Sequence, residues 1–160
     1  MMATRYTLAI PQETVLLTDF RLMLLHEVRG RAEDGTTATL RQGIEAYFPE
    51  AIRSGKYMGW MAWAGDVLVG TCGMVVREQP PSYKYTDGRI AYVMNMYVLP
   101  QYRGQGIGKM LFAKIMESTA AAGIQKVELH ATADGEPLYR KFGFKEPASV
   151  VLEVTKEKPA

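Results

Sequence analysis

Apolar residues in the first third of the chain recur every three or four positions, which is the spacing of one helical face. In the segment 12–28 they fall at i, i+4, i+7 and i+8, and a second such segment runs over 40–52 and stops near Gly55. A short strand-like stretch at 5–10 precedes both segments. The pattern therefore predicts one strand and then two helices, joined by a polar loop over 29–37.

Beyond Gly55 the spacing of apolar residues changes to that of strands. Two apolar runs, 57–64 and 67–76, are separated by a Gly-Asp dipeptide that is typical of a hairpin turn. A third run over 90–99 is stopped by Pro100. These runs predict three consecutive strands in the middle of the chain.

The last third of the chain alternates between helical and strand-like spacing. The pattern predicts a helix over 106–122, a strand over 126–131, a short helix over 136–142 and a strand over 144–154. The strand–helix–strand segment 90–131 should form a right-handed parallel unit. The order of all these elements predicts an α/β (α+β) fold with one central mixed sheet.

Length and charge limit the function classes. A chain of 160 residues without a repeat, a linker or a low-complexity segment predicts a single domain spanning residues 1–160. The formal net charge of +2 is too small to indicate nucleic-acid binding. No segment has the roughly 20 apolar residues that span a bilayer. We therefore expect no nucleic-acid or membrane partner, no signal peptide in residues 1–10 and no metal site.

Cys72 is the only cysteine of the chain. An intramolecular disulfide is impossible with one cysteine, which fits a reducing, cytoplasmic compartment. The apolar, strand-like stretch around Cys72 indicates a small buried side chain rather than a nucleophile.

The sharpest motif is a glycine-rich segment between a predicted strand and a predicted helix, Arg103-Gly104-Gln105-Gly106-Ile107-Gly108-Lys109. Backbone N–H groups at a helix start have no intrahelical partners, and the helix dipole adds positive potential there. Glycines let such a backbone approach a ligand closely. The segment therefore indicates a phosphate-binding loop.

Three phosphate-loop motifs compete for this segment. A Walker A motif requires Ser or Thr after its lysine, but Met110 follows Lys109. A dinucleotide fingerprint requires a different glycine spacing. The motif R/Q-x-x-G-x-G/A is met by Arg103, Gly106 and Gly108. A tight strand-to-helix turn without a ligand remains the alternative, although alternating glycines cost chain entropy that such a turn does not need.

Two segments together resemble the GNAT superfamily of N-acetyltransferases. Residues 95–108, N-M-Y-V-L-P-Q-Y-R-G-Q-G-I-G, are similar to that family's strand and pyrophosphate loop, and residues 138–144, L-Y-R-K-F-G-F, to its L-Y-x-x-x-G-F segment. The resemblance implies a mostly antiparallel, twisted mixed sheet flanked by about four helices. It also implies transfer of an acetyl group from acetyl-CoA to a primary amine.

The resemblance further implies where the donor binds. The pantetheine arm would lie along Met96–Leu99, with the N–H of Val98 polarising the thioester carbonyl. Tyr139 would protonate the thiolate leaving group. Thr132 stands where the family often has an asparagine that contacts the cofactor. The implied contacts to acetyl-CoA are Met96, Tyr97, Val98, Arg103, Gly104, Gln105, Gly106, Ile107, Gly108, Lys109 and Thr132.

The acceptor side is less defined. The family often has a glutamate early on the strand before the loop, but residues 89–91 are Arg-Ile-Ala, so the general base stays unassigned. Glu128 and His130 share one face of the next strand and could reach the site, although a solvated or helix-covered face explains them equally well. Asn95 lies on the opposite face of its strand from Met96 and Val98 and could orient the substrate or a water molecule. Acids of the first helix and its loop, Glu27, Glu33 and Asp34, would suit a cationic amine.

Three functions stay open on these residues. The first is acetylation of a small-molecule amine, the second is acetylation of a protein or peptide, and the third is a non-catalytic acetyl-CoA sensor. The missing glutamate favours the sensor, whereas the retained Tyr139 favours an enzyme. The apolar run Val150-Val151-Leu152 is consistent with a homodimer that pairs through its last strands, and a buried strand explains it equally well.

Overall fold

The structure, a computed structural model, describes residues 3–30 and 36–159. Its contacts group into two compact units, Met1–His130 and Ala131–Ala160. Part of the predicted loop 29–37, with Glu33 and Asp34, lies outside the described residues.

The first unit begins with a strand and two helices, as the apolar spacing predicts. They are β1 (Thr4–Leu8), α1 (Thr14–Arg29) and α2 (Thr36–Arg53). The backbone N–H of Ile10 donates to Glu13 Oε2 at 3.0 Å, which fixes the turn into α1. Both helices are amphipathic, so each packs its apolar face against the sheet and leaves its polar face in water.

Four more strands and one helix complete this unit. They are β2 (Tyr57–Ala64), β3 (Val67–Glu78), β4 (Arg89–Val98), α3 (Ile107–Ala121) and β5 (Lys126–Leu129). The sheet order is β1-β2-β3-β4-β5, with β4 and β5 parallel and the other pairs antiparallel. The predicted mixed, mostly antiparallel sheet and its parallel unit are confirmed.

The core of the first unit lies on both faces of the sheet. On one face, the rings of Phe48 of α2 and Tyr57 of β2 lie 4.9 Å apart in an edge-on arrangement. On the other face, α3 buries three side chains completely, namely Leu111, Phe112 and Ile115. Covering both faces explains why β3 and β4 are so apolar along their whole length.

The second unit contains one helix, α4 (Glu136–Lys141). The prediction of a strand over 144–154 is wrong, since residues 144–159 form neither helix nor strand. The apolar residues of this stretch are largely exposed, Val150 by 84% and Leu152 by 88%. A strand requires a hydrogen-bonded neighbour, and a strand-like composition does not supply one.

An ion-pair network organises the residues around α4. Arg140 donates to Glu136 Oε1 at 2.8 and 2.6 Å and also bonds Glu146. The Arg140 guanidinium holds the pKa of Glu146 at about 2, well below its usual range. The three groups are exposed, so this network contributes little to the free energy of unfolding.

Within the described residues, no helix has the length and apolarity that crossing a bilayer requires. Residues 3–30 and 36–159 contain four α-helices, in agreement with the predicted number.

Cys72 should be unreactive in the native protein. Its side chain is 0% exposed, and burial raises the pKa of its thiol, so the reactive thiolate is scarce at pH 8. We expect no reaction of the native chain with a disulfide reagent such as dithiobis-nitrobenzoate, and reaction of one thiol per chain after denaturation. Rapid labelling of the folded protein would contradict this placement.

Candidate active site

β4 contains a β-bulge in its second half. Thr71 of β3 pairs with Tyr97 and Gly73 pairs with Met94, so two residues of β4 lie opposite one residue of β3. The first of the two, Asn95, has φ = 57° and is the one non-glycine residue with positive φ in the described part of the chain. This left-handed conformation costs an L-residue roughly 1–2 kcal/mol, so its surroundings must hold it.

Three hydrogen bonds hold Asn95 in this conformation. Arg21 Nη1 of α1 donates to Asn95 Oδ1 at 2.7 Å, and Asn95 Nδ2 donates to the hydroxyl of Tyr57 at 2.9 Å. Thr71 Oγ1 donates to the backbone carbonyl of Asn95 at 3.0 Å. Because Asn95 is only 6% exposed and its amide is bonded on both sides, the orientation of the amide is fixed.

Tyr57 reaches Asn95 by crossing Gly73. A Cβ on Gly73 would lie 2.0 Å from the Tyr57 hydroxyl oxygen, so only glycine fits at this position. Burial raises the pKa of Tyr57, which therefore stays a neutral phenol and a hydrogen-bond partner. Arg21 and Tyr57 are not among the site residues predicted from the sequence, although a glycine inside an apolar strand, such as Gly73, is a signal of close approach.

The bulge opens into a cavity of about 600 Å³ between α1, α2 and the sheet. Its volume lies within the range of small-molecule sites. Its wall is mainly apolar and aromatic, and it carries the polar groups of the Asn95 network at one end. The lining residues are Arg21, Thr36, Thr39, Leu40, Gly43, Ile44, Tyr47, Phe48, Tyr57, Val75, Met94 and Asn95.

The edge of β4 beyond the bulge is not covered by β5. The last residue pair between these strands joins Val93 with Leu129, so residues 94–98 extend past the end of β5. The N–H of Leu99 donates to Val69 on the β3 side at 2.9 Å. Because successive N–H groups of a strand point to opposite edges, the N–H of Val98 points to the edge that β5 leaves open. This direction is the one that the predicted role of Val98 requires.

The glycine loop has the conformation of a helix-start anion site. Gly104 has φ = 74°, and Gly106, the N-cap of α3, has φ = 83°. No side chain caps α3, and the first helical bond is donated by Met110 to Gly106. A Cβ at Gly104 or Gly106 would meet no atom within 4 Å, so packing does not require either glycine. The left-handed backbone does require them.

The start of α3 lies against the end of β4. A Cβ on Gly108 would be 3.8 Å from Val98 Cγ2 and 4.0 Å from Met96 Sδ. The structure therefore places Met96 and Val98 beside the start of α3, and the cofactor contacts of these residues and of the loop stay predictions. Ile107 is buried, so only its backbone can face a ligand, whereas Gln105 and Lys109 are exposed.

Arg103 and Glu27 are partners of each other. The Arg103 guanidinium bonds both carboxylate oxygens of Glu27 at 3.0 and 2.9 Å, and its Nε donates to the carbonyl of Val98 at 2.8 Å. It also lies 5.2 Å from the ring centroid of Tyr97. The pair ties α1 to the glycine loop. The cofactor role of Arg103 and the substrate role of Glu27 stay predictions.

Glu128 and His130 share one face of the sheet, as predicted. Glu128 pairs with Arg77 at 3.3 Å, and His130 lies edge-on to the Tyr92 ring at 5.6 Å. The Arg77 guanidinium lies 4.1 Å from the centroid of that ring. None of the four residues lines the cavity, and the general base stays unassigned.

Tyr139 and Thr132 belong to the second unit. Tyr139 is buried in α4, and its ring lies 6.4 Å from that of Phe144. The hydroxyl of Thr132 accepts a hydrogen bond from the N–H of Gly135 at 3.2 Å, which supports the start of α4. The predicted acid and cofactor roles of these residues stay predictions.

Comparison with known proteins points to one family. A family model described as an acetyltransferase (GNAT) domain matches residues 56–146. The chain is 32% identical over 80 residues to a glucosamine 6-phosphate N-acetyltransferase of Trypanosoma brucei brucei, covering 49% of this chain and 51% of that protein. It is 40% identical over 47 residues to a thialysine N-epsilon-acetyltransferase of Mus musculus, covering 29% and 28%. The chain thus aligns with about half of the length of the first of these curated relatives and about a quarter of the second.

Two solved structures share the fold over almost the whole chain. One is a predicted acetyltransferase with acetyl-CoA from Clostridium acetobutylicum, with a TM-score of 0.87, 24% identity and 96% coverage of both chains. The other is a GCN5-related N-acetyltransferase from Ralstonia eutropha, with a TM-score of 0.82, 25% identity and coverage of 95% and 99%.

Replacing Gly106 with alanine should separate the ligand role of the loop from its stability. The substitution forces a Cβ into a left-handed backbone, which should lower the free energy of unfolding by about 1 kcal/mol. Gly55→Ala is the matched control, because Gly55 has φ = 75°, equally open surroundings and no place in the loop. We expect both variants to melt alike, and only Gly106→Ala to lose about tenfold or more in acetyl-CoA affinity by calorimetry. Equal acetyl-CoA affinity in the two variants would contradict the loop assignment.

Proposed function

Because the chain belongs to the acetyltransferase (GNAT) domain family, we propose that it transfers an acetyl group from acetyl-CoA to a primary amine of a small molecule. The observation that carries the proposal is the arrangement at the end of β4. There the uncapped start of α3 and its left-handed glycine loop lie against a strand edge that β5 does not pair, and the bulge opens into a cavity. The loop would hold the pyrophosphate and the strand edge the pantetheine arm.

The reaction would proceed by direct attack in a ternary complex. The neutral amine forms a C–N bond to the thioester carbonyl carbon, and negative charge develops on the carbonyl oxygen. The N–H of Val98 would stabilise that charge, because a fixed donor aimed at an oxyanion needs no reorganisation. Collapse of the intermediate breaks the C–S bond and Tyr139 would protonate the departing thiolate, while the proton that the nitrogen loses on becoming an amide would restore the Tyr139 phenol, directly or through water.

A small acceptor is favoured over a peptide by two observations. The cavity lies between two helices and the sheet and is of small-molecule size. The two curated relatives carry the names of enzymes for glucosamine 6-phosphate and thialysine. Peptides competing better than small amines would favour the alternative of a peptide N-acetyltransferase.

Removing the hydroxyl of Tyr139 tests the acid role. Tyr139→Phe should bind acetyl-CoA as the wild type does and lose about 10²–10⁴-fold in thiol release with an amine panel, because the thiolate would leave unprotonated. Tyr83→Phe is the control, since Tyr83 is fully exposed. Unchanged turnover in Tyr139→Phe would refute the assignment. Binding of acetyl-CoA by the wild type without turnover of any amine would support a sensor instead.

We also propose that the chain forms a homodimer through residues 150–154. Four apolar side chains there are exposed in the single chain, Val150 by 84%, Val151 by 72%, Leu152 by 88% and Val154 by 80%. Contiguous apolar exposure of this kind is typical of an interaction surface.

Light scattering coupled to size-exclusion chromatography tests the dimer. The wild type should run as a dimer, and the double variant Val151→Asp/Leu152→Asp as a monomer, because burying two carboxylates in an apolar interface is costly. Lys158→Asp, outside the segment, serves as the control for added negative charge. A monomeric wild type at high micromolar concentration would refute the proposal.

A further inference from the structure

The cavity combines an apolar body with a single cationic end. Leu40, Ile44, Phe48, Val75 and Met94 supply most of the wall. Arg21 is the one charged residue among the lining residues, all of which lie in the described part of the chain. An apolar wall with one placed charge selects a ligand that has an apolar group and a complementary ion.

Arg21 has spare hydrogen-bonding capacity toward this cavity. Of its five N–H donors, one bond is made to a neutral partner, Asn95 Oδ1, at 2.7 Å. Within residues 3–30 and 36–159, no carboxylate pairs with Arg21. Among the other described arginines six have a carboxylate partner and Arg5 and Arg29 have none, but neither of these two lines the cavity; the six are Arg41, Arg53, Arg77, Arg89, Arg103 and Arg140. A partly desolvated guanidinium without a counter-ion binds an anion well, and its planar fork matches a carboxylate.

The fold limits how far the amine of an acceptor can lie from the acceptor's own carboxylate when that carboxylate binds Arg21. Arg21 Nη1 donates to Asn95, and the residues that follow Asn95 form the strand edge, not paired by β5, that is proposed to hold the thioester. An acceptor that pairs with Arg21 therefore presents its carboxylate close to its amine. A carboxylate on the carbon that bears the amine meets this requirement, and the rest of the acceptor then lies along the apolar wall.

We propose that the acceptor is an α-amino carboxylate with an apolar side chain, whose carboxylate binds Arg21. The inference rests on the proposed acetyl transfer for the position of the amine. It assigns the cavity wall to the side chain, Arg21 to the carboxylate, and Asn95 to holding the guanidinium in place.

Matched acceptor pairs test the carboxylate requirement. Thiol release would be measured with leucine against 3-methylbutylamine and phenylalanine against 2-phenylethylamine, which differ only by the carboxylate, and with glucosamine 6-phosphate as the phosphate-bearing amine. We expect kcat/KM, expressed per unprotonated amine because an α-amino acid has a lower amine pKa than its decarboxylated analogue, to be about 10- to 100-fold higher for the carboxylate member of each pair, as for a charge-assisted hydrogen bond. Equal values within the pairs, or preference for the phosphate, would overturn the inference and leave acetyl transfer intact.

Substitution of Arg21 tests which residue is responsible. Arg21→Met should reduce the preference within each pair to near unity, chiefly through KM, and Arg21→Lys should retain part of it. Arg53→Met, a change at an exposed ion pair of α2, should keep the wild-type preference. If Arg21 only positions Asn95, Arg21→Met lowers both members of a pair equally, and the inference fails.

Equilibrium binding separates this inference from the proposed function. Calorimetry of leucine and of 3-methylbutylamine against the enzyme–CoA complex reports the site without chemistry. Arg21-dependent binding of leucine in a protein without turnover would uphold the carboxylate site and refute acetyl transfer. Absence of any preference for leucine in binding, with turnover present, would refute the carboxylate site alone.

Discussion

The site depends on the left-handed conformation of Asn95. A residue in a strand normally avoids this conformation, so the surrounding side chains must stabilise it. A left-handed asparagine in the middle of a strand costs free energy, and three hydrogen bonds, accepted from Arg21 and Thr71 and donated to Tyr57, offset that cost. These residues come from a helix and two strands, so the bulge forms only when the first unit is folded. Gly73 belongs to the same arrangement, because any side chain there would displace Tyr57.

The bulge connects the cavity with the strand edge beyond it. On the side of α1 and α2 it opens into the cavity, and at its edge β4 runs past the end of β5 toward the glycine loop. The Arg103–Glu27 pair also holds the glycine loop against α1. The loop proposed to bind acetyl-CoA is therefore connected to a helix that lines the acceptor cavity. The two side chains of this pair are 44% and 46% exposed, so the pair contributes little to the free energy of unfolding. Its contribution is to position the glycine loop.

The sequence predicts the fold well where periodicity is long, and the site only in part. The helices and the first five strands are confirmed because their apolar faces repeat over several turns or pleats. The strand over 144–154 fails because its pattern does not reveal a pairing partner. The glycine loop can be predicted from the sequence because its residues are contiguous and its left-handed backbone positions require glycine. Arg21, Tyr57 and Asn95 lie far apart along the chain, so only the fold reveals their network.

The most direct measurement is a calorimetric titration of the wild-type chain with acetyl-CoA, with ATP and NAD as controls. We expect one acetyl-CoA site per chain and no comparable binding of ATP or NAD, because the loop and the strand edge together fit a pyrophosphate with a pantetheine arm. Absence of acetyl-CoA binding at millimolar concentration would contradict it, and the glycines of the loop would then serve only the turn into α3.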